Sequence, residues 1–222
     1  MKDGNKVKIS KKDVLLYAIT DRQWLNGRTL ASQVEEVLKN GATFLQLREK
    51  HIGHDELVKE ALVIKEIAAR YSVPFVIDDD VYAAKEADAD GVHIGQSDNN
   101  YKMAREILGS DKIIGMTAHN LKEAIAAQNA GADYIGTGAV FTTSTKKDTI
   151  PLTMEALKNI TNNITIPIVA IGGINHDNIL QLKGLGVDGV AVISALFAQE
   201  NVGEATHTLL NLCKEIVDVV HI

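Results

Sequence analysis

A single closed (βα)8 TIM barrel is the fold this sequence predicts, and three features predict it. The chain has 222 residues, and α/β barrels of roughly 200–250 residues routinely form one domain. Eight short β-branched or apolar runs recur along it, each followed by a longer stretch with helical spacing and polar faces. Related phrases return just before or within several runs: GATFLQL at Gly41, ADADGVHIG at Ala87, GADYIG at Gly131 and GVDGVAV at Gly186. They read as repeated units of helix end, turn and strand start. No Pro/Ser-rich linker or composition shift divides the chain, so residues 1–222 are expected to be one domain with a short N-terminal extension over about 1–13. A doubly wound open sheet is the fallback.

In order, the strands are expected at 14–20, 43–48, 74–77, 91–94, 112–116, 133–136, 167–171 and 188–193. Pro74 and Pro167 open the third and seventh, where a missing N–H is harmless. Amphipathic spacing places helices at 30–39, 56–70, 121–130 and 178–182. Leu209, Cys213, Ile216 and Val220 form one apolar stripe of the last helix, so the lone cysteine is read as core.

That single cysteine excludes a disulfide framework and any CxxC site, and suits a reducing cytoplasm. The basic N-terminus is followed by an apolar run, 14–19, too short for a secretory signal. No apolar stretch reaches the roughly 18 residues of a membrane-spanning helix. A net charge of -6, from 23 basic and 29 acidic residues, argues against a nucleic-acid footprint. Expected partners are therefore small molecules, not a membrane or nucleic acid, and positive charge for an anionic ligand must be local. GxSxG, HExxH, the P-loop lysine motif and GxGxxG are all absent, leaving hydrolase triads, zinc proteolysis and Walker-type or dinucleotide binding without support.

Reactive groups in such a barrel sit at the C-terminal strand ends and in the loops that follow. In TFLQLREK, Gln46, Arg48 and Lys50 alternate with Leu45 and Leu47, so the leucines face the helices and the polar residues project inward near the mouth. Two inward cations are costly unless they meet an anion, although an edge strand with a solvated face would alternate in the same way. Asp78, Asp79 and Asp80 close the third strand. Three adjacent carboxylates favour a hard cation such as Mg²⁺, while Asp79 or Asp80 equally suits capping the next helix. GVHIGQSD brings Asp98 to the same rim, which makes Asp79 with Asp98 the expected metal pair; Asp98 also suits an N-cap.

The sixth strand leads into GTGAVFTTSTKKDTIP. Hydroxyls of Thr143, Ser144 and Thr145 beside Lys146 and Lys147 can surround a phosphate, and a loop of this length suits a lid, though a merely solvated loop has the same composition. Gly172 and Gly173 in AIGGI let backbone N–H groups approach an oxyanion, or serve a tight turn. Ile193 and Ser194 open a helix after strand eight, and loops seven and eight commonly form a barrel's phosphate site. His93 and His119 are read as core or supporting residues, His51 and His54 as loop, and Tyr17 and Trp24 as packing near the first strand or as cover for the mouth.

These motifs resemble the thiamine phosphate synthase family along nearly the whole chain. The resemblance rests on LYAITD at Leu16, QLREK at Gln46, IDDD at Ile77, GVHIGQSD at Gly91, GMTAHN at Gly115, DYIGTGAVFTTSTKKD at Asp133, IPIVAIGGI at Ile166 and GVAVISA at Gly189. It implies a barrel that joins a pyrimidine diphosphate to a thiazole phosphate and releases pyrophosphate. It also implies that the segment Gln46, Leu47, Arg48, Glu49, Lys50, with Asp78 and Thr117, holds the pyrimidine diphosphate, and that Asp79 and Asp98 bind Mg²⁺. Lys146 falls on the pyrophosphate-contacting lysine. Thr143, Ser144, Thr145, Gly173, Ile193 and Ser194 fall at the thiazole phosphate or released pyrophosphate. Arg48, Lys50, Thr117 and Lys146 are the implied catalytic set, and a homo-oligomer is expected at family level. Asp78 stands where the family more often has asparagine, Thr117 replaces a usual serine, and Ala139 and Thr142 replace prolines. A thiazole tautomerase of the same lineage, a phosphosugar isomerase and a non-catalytic binder of thiamine precursors are the rival readings. GQSD and TSTK together favour the synthase over the first.

Overall fold

The structure is a computed structural model that describes residues 9–95, 101–142 and 151–217. Among them eight parallel strands close into a barrel in sequence order: β1 Leu16–Ile19, β2 Phe44–Leu47, β3 Phe75–Asp78, β4 Gly91–Ile94, β5 Ile113–Ala118, β6 Tyr134–Gly138, β7 Ile168–Ile171 and β8 Gly189–Val192. The helices are α1 Leu30–Lys39, α2 His54–Arg70, α3 Val81–Glu86, α4 Tyr101–Leu108, α5 Leu121–Ala130, α6 Met154–Asn163, α7 Ser194–Phe197 and α8 Val202–Ile216. The expected eight-strand barrel is therefore present, with β1, β2, β7 and β8 shorter than the runs that signal them and β5 and β6 slightly longer. Two expectations need correction. Residues 179–182 form a 3₁₀ turn with no side-chain cap in place of the expected α-helix, and His54 begins α2 where a loop was expected.

Strand alternation sorts the side chains into two layers. On β1, Leu16 and Ala18 face the helices, whereas Tyr17 and Ile19 face the barrel interior with Phe44, Val76, Ile113, Tyr134, Val169 and Ala191. Helices dock through apolar faces such as Leu30, Val34, Val37 and Leu38 of α1, and Cys213 lies buried in α8. Burial pushes the Cys213 thiol up to about 12, so it is an inert packing group. Side-chain caps fix several helix starts: Thr29 accepts from Ser32 N, Asp80 from Ala83 N, Asn120 from Glu123 N, Thr153 from Ala156 N and Asn201 from Glu204 N.

The recurring phrases have a common structural meaning. Thr43, Asp90, Asp133 and Asp188 each stand just before an even-numbered strand. Their side chains accept from Leu16 N at 3.0 Å, Phe75 N at 2.8 Å, Ile114 N at 2.9 Å and Ile168 N at 2.9 Å, at the starts of the odd-numbered strands beside them. The backbone N–H of each returns a bond to the carbonyl of that same residue, at 2.8–2.9 Å. A reciprocal clamp thus ties β1 to β2, β3 to β4, β5 to β6 and β7 to β8, four of the eight strand pairs, at the closed end of the barrel, opposite the mouth. Asp188→Ala would orphan the buried Ile168 N–H and is expected to cost about 2 kcal/mol, lowering Tm by about 4–8 °C. Asp188→Asn retains an acceptor and should cost less than half as much in the same thermal melt.

Candidate active site

The mouth of the barrel opens into a cavity of about 320 Å³, lined by inward residues of the strands and by their following loops. Gln46, Arg48, Lys50, Asp78, Asp79, Thr117, Gly173, Ile193 and Ser194 all line it. Leu47 and Glu49 do not. Leu47 is fully buried between barrel and helices, while Glu49 points to Arg22, whose Nε donates to it at 2.9 Å. Burial pushes the Glu49 carboxyl up, against the pull of Arg22. Strand parity separates the two sets, since positions 46, 48 and 50 face inward and 47 and 49 outward. Asp98, Thr143, Ser144, Thr145, Lys146 and Lys147 lie outside the described residues.

Cations and carboxylates meet at this rim. Lys50 Nζ lies 2.7 Å from Asp78 Oδ2 and 2.5 Å from Asp79 Oδ2. Arg48 is 3.8 Å from Asp78 through Nε and 3.8 Å from Asp21 through Nη1. The two inward cations that looked costly in the sequence are therefore balanced by the chain's own acids. Burial alone would depress the Lys50 ammonium, but hydrogen bonds and charge from Asp78 and Asp79 outweigh it and hold the group above the ordinary lysine value. Asp79 sits at φ +63°, a left-handed conformation that turns the chain at the end of β3, and its N–H donates to His93 O at 2.9 Å. Of the three acids, Asp80 is the helix cap, which leaves Asp78 and Asp79 at the cavity.

That pair has the donor chemistry of a hard cation site: carboxylate oxygens of neighbouring residues, drawn together on one positive charge, at a partly open rim. Mg²⁺ typically takes one or two such carboxylates with substrate phosphate oxygens and water, so Asp79, with Asp78 beside it, fits that ion.

On the opposite wall, Gly172 and Gly173 take φ +102° and +65°. A Cβ at Gly172 would lie 2.5 Å from that of Ala139, and one at Gly173 2.4 Å from Thr142 O. Glycine is thus required both by backbone conformation and by the close approach of the loop after β6. That loop is pinned by Val140 N donating to Ile171 O and Phe141 N donating to Gly172 O, both at 3.0 Å. Ser194 begins α7 beside these turns.

Other residues at the cavity carried weaker sequence signals. His119 donates from Nδ1 to Gly138 O at 2.8 Å, linking the loop after β5 to the end of β6. Tyr17, expected to pack or to cover the mouth, lines the cavity with His93, and Tyr134 stands behind them. Asp21, the second partner of Arg48, closes the LYAITD motif just after β1, although no role was expected of it.

The thiamine monophosphate synthase family model matches residues 16–196. A thiamine-phosphate synthase of Clostridium novyi is 50% identical over 198 residues, covering 89% of this chain and 97% of that protein. Another from Clostridioides difficile is 45% identical over 194 residues, covering 87% and 92%. Among solved structures, a thiamine phosphate pyrophosphorylase from Pyrococcus furiosus superposes with a TM-score of 0.86 at 38% identity, over 93% of this chain and 98% of that one. A geranylgeranylglyceryl phosphate synthase from Thermoplasma acidophilum shares the fold alone, at 15% identity and a TM-score of 0.66. With 181 residues under one family model and a full-length relative at half identity, the chain belongs to the thiamine monophosphate synthase family.

Proposed function

We propose that this chain is a transferase of thiamine biosynthesis that joins a pyrimidine diphosphate to a thiazole phosphate, giving thiamine phosphate and pyrophosphate with Mg²⁺ as cofactor. The observation that carries this reading is the rim cluster of Arg48, Lys50, Asp78 and Asp79 at the mouth of a cavity of about 320 Å³. The bond between the pyrimidine methylene carbon and the diphosphate oxygen breaks heterolytically, its electron pair leaving with pyrophosphate. The thiazole nitrogen then supplies the pair for the new C–N bond. No side chain need act as nucleophile, in keeping with the missing triads, and the barrier is set by charge developing on the leaving group.

Mg²⁺ held by Asp79 and Asp98 would neutralise leaving oxygens as a Lewis acid. Arg48 and Lys50 hold the diphosphate at the mouth from preset positions, and Lys146 adds a donor from the loop after β6. Thr117 offers its hydroxyl from β5, while Gly173, Ser194 and the hydroxyls of Thr143, Ser144 and Thr145 hold the thiazole phosphate or departing pyrophosphate. Among the described residues no helix is long and apolar enough to cross a membrane. The cytoplasm as place of work and assembly with further copies of the chain belong to the same reading.

Pyrophosphate release by purified protein given both substrates and Mg²⁺ tests it. Release should require the thiazole phosphate, stop with EDTA and match thiamine phosphate formed. Binding of either substrate by folded protein without release would reject the synthase. Lys146→Ala is expected to lower kcat about 10²-fold, as for loss of one electrostatic donor; a rate within a factor of about three would remove Lys146 from the catalytic set.

A further inference from the structure

Below the rim charges, five polar side chains cross the barrel interior in one unbroken line. Gln46 Nε2 donates to Tyr17 Oη at 2.7 Å, Tyr17 and Tyr134 hydroxyls meet at 2.8 Å, Tyr134 Oη meets His93 Nδ1 at 2.9 Å, and His93 Nε2 meets Thr117 Oγ1 at 3.0 Å. Tyr17 and Tyr134 are buried at 2% and 0% exposure, so bulk water does not compete for these bonds. The backbone is shaped to admit the rings. A Cβ on Gly115 would lie 2.1 Å from Cζ of Tyr134, and one on Gly136 would lie 3.3 Å from Cε1 of His93. Phe44 packs edge-on against both tyrosines, with ring centroids 4.6 and 5.4 Å apart.

Proton counting allows the line two directions and ties each to one tautomer of His93. A neutral phenol has one proton. Tyr17 accepts from Gln46; in one direction its own proton goes to Tyr134, and Tyr134 in turn gives its proton to His93 Nδ1. A neutral imidazole that accepts at Nδ1 carries its proton at Nε2, and this N–H donates to Thr117. The Thr117 proton is then turned away from His93, to another acceptor, and the Gln46 carbonyl is turned away from Tyr17. Burial pushes both phenols well above the ordinary tyrosine value, which keeps their protons in place. In the other direction Tyr17 accepts from both Gln46 and Tyr134 through its two lone pairs, and His93 carries its proton at Nδ1 and donates to Tyr134. The tautomer of His93 therefore reports the state of the whole line.

We infer that Tyr17 and Tyr134 are positioning residues, which with His93 form a one-way hydrogen-bond wire that fixes the Gln46 amide at one cavity wall and directs the Thr117 hydroxyl as a donor to an anionic substrate at another. The catalytic part of this inference rests on the synthase reading; the direction of the wire does not.

Long-range ¹H–¹⁵N NMR of protein labelled in its histidines, at alkaline pH where the ring is neutral, tests both parts separately. The His93 signal is identified by its loss in His93→Gln. The expected result is the Nε2–H tautomer in the unsubstituted protein and a mixed tautomer in Tyr134→Phe, where Nδ1 loses its donor. In the same variant kcat should fall about fivefold to tenfold with KM for the thiazole phosphate within about twofold, the loss set by one neutral hydrogen bond. Tyr17→Phe, which cuts the wire one link earlier, should give the same split and serves if Tyr134→Phe fails to fold. The Nδ1–H tautomer in the unsubstituted protein would overturn the wire. So would an unchanged tautomer in Tyr134→Phe, or full turnover in folded variants whose tautomer is mixed. The expected tautomers in a protein that forms no thiamine phosphate would leave the wire standing and overturn the synthase reading alone.

Discussion

Lys50→Ala is expected to lower kcat/KM for thiamine phosphate formation by about 10²- to 10³-fold, while Tm moves by no more than about 3 °C. The two halves of this expectation have different causes. In the folded chain Lys50 bridges Asp78 and Asp79 at 2.7 and 2.5 Å, but its side chain is 38% exposed, and ion pairs of that kind contribute little to folding. The linkage has the sign of a raised lysine pKa. Whatever stability the ammonium adds is fully present below the ordinary lysine value, and is lost only as pH rises through the still higher folded value. Across neutral pH the charge is therefore constant, and no activity change in that range arises from Lys50 itself. Catalysis is more sensitive, because a preset ammonium at the mouth meets charge that grows only as pyrophosphate departs. Lys50→Arg keeps the charge but spreads it over a planar fork and should recover only part of the rate. Steady-state kinetics beside a thermal melt decide it; Lys50→Ala within a factor of about three of the parent rate would confine Lys50 to holding the two aspartates.

The fold was legible because its signals are local. Short β-branched or apolar runs mark all eight strands, and the residues that end them account for the rim. Residues 178–182 were misread because a brief apolar periodicity does not distinguish one 3₁₀ turn from an α-helix. The repeated phrases were visible as repeats, yet their purpose was not: Asp90, Asp133 and Asp188 act on a neighbouring strand 15 to 20 residues away, a pairing that sequence spacing alone does not reveal. At the site, alternation separated Gln46, Arg48 and Lys50 from Leu47, whereas taking the motif whole brought in Leu47 and Glu49, which face outward. The pairing of Tyr17 with Tyr134 was hidden for a different reason. In a strand a tyrosine signals apolar packing, and only closure of the barrel shows that hydroxyls 117 residues apart in sequence meet.

Closure also sets the largest expected loss of stability. Gly189→Ala should cost about 3 kcal/mol or more and lower Tm by about 10 °C. Gly189 opens β8 at the seam where the last strand returns to the first, with Leu16 in register with Val190 and Val190 N donating to Leu15 O at 3.1 Å. A Cβ at position 189 would lie 1.9 Å from Val14 O and 2.7 Å from Leu15 O, both backbone atoms. A side chain could rotate away, but these carbonyls move only if β1 moves, and shifting β1 strains the β1–β2 and β1–β8 ladders together. Because Tyr17 rides on β1, activity should fall even in the folded fraction. Gly53→Ser is the matched control: a Cβ there meets nothing within 4 Å, and the added hydroxyl can cap α2, which starts without a side-chain cap. Its Tm should equal or slightly exceed that of the parent protein. If Gly189→Ala instead melts within about 2 °C of the parent, the seam is slack enough to absorb a methyl group, and β1 cannot be the rigid support on which Tyr17 depends.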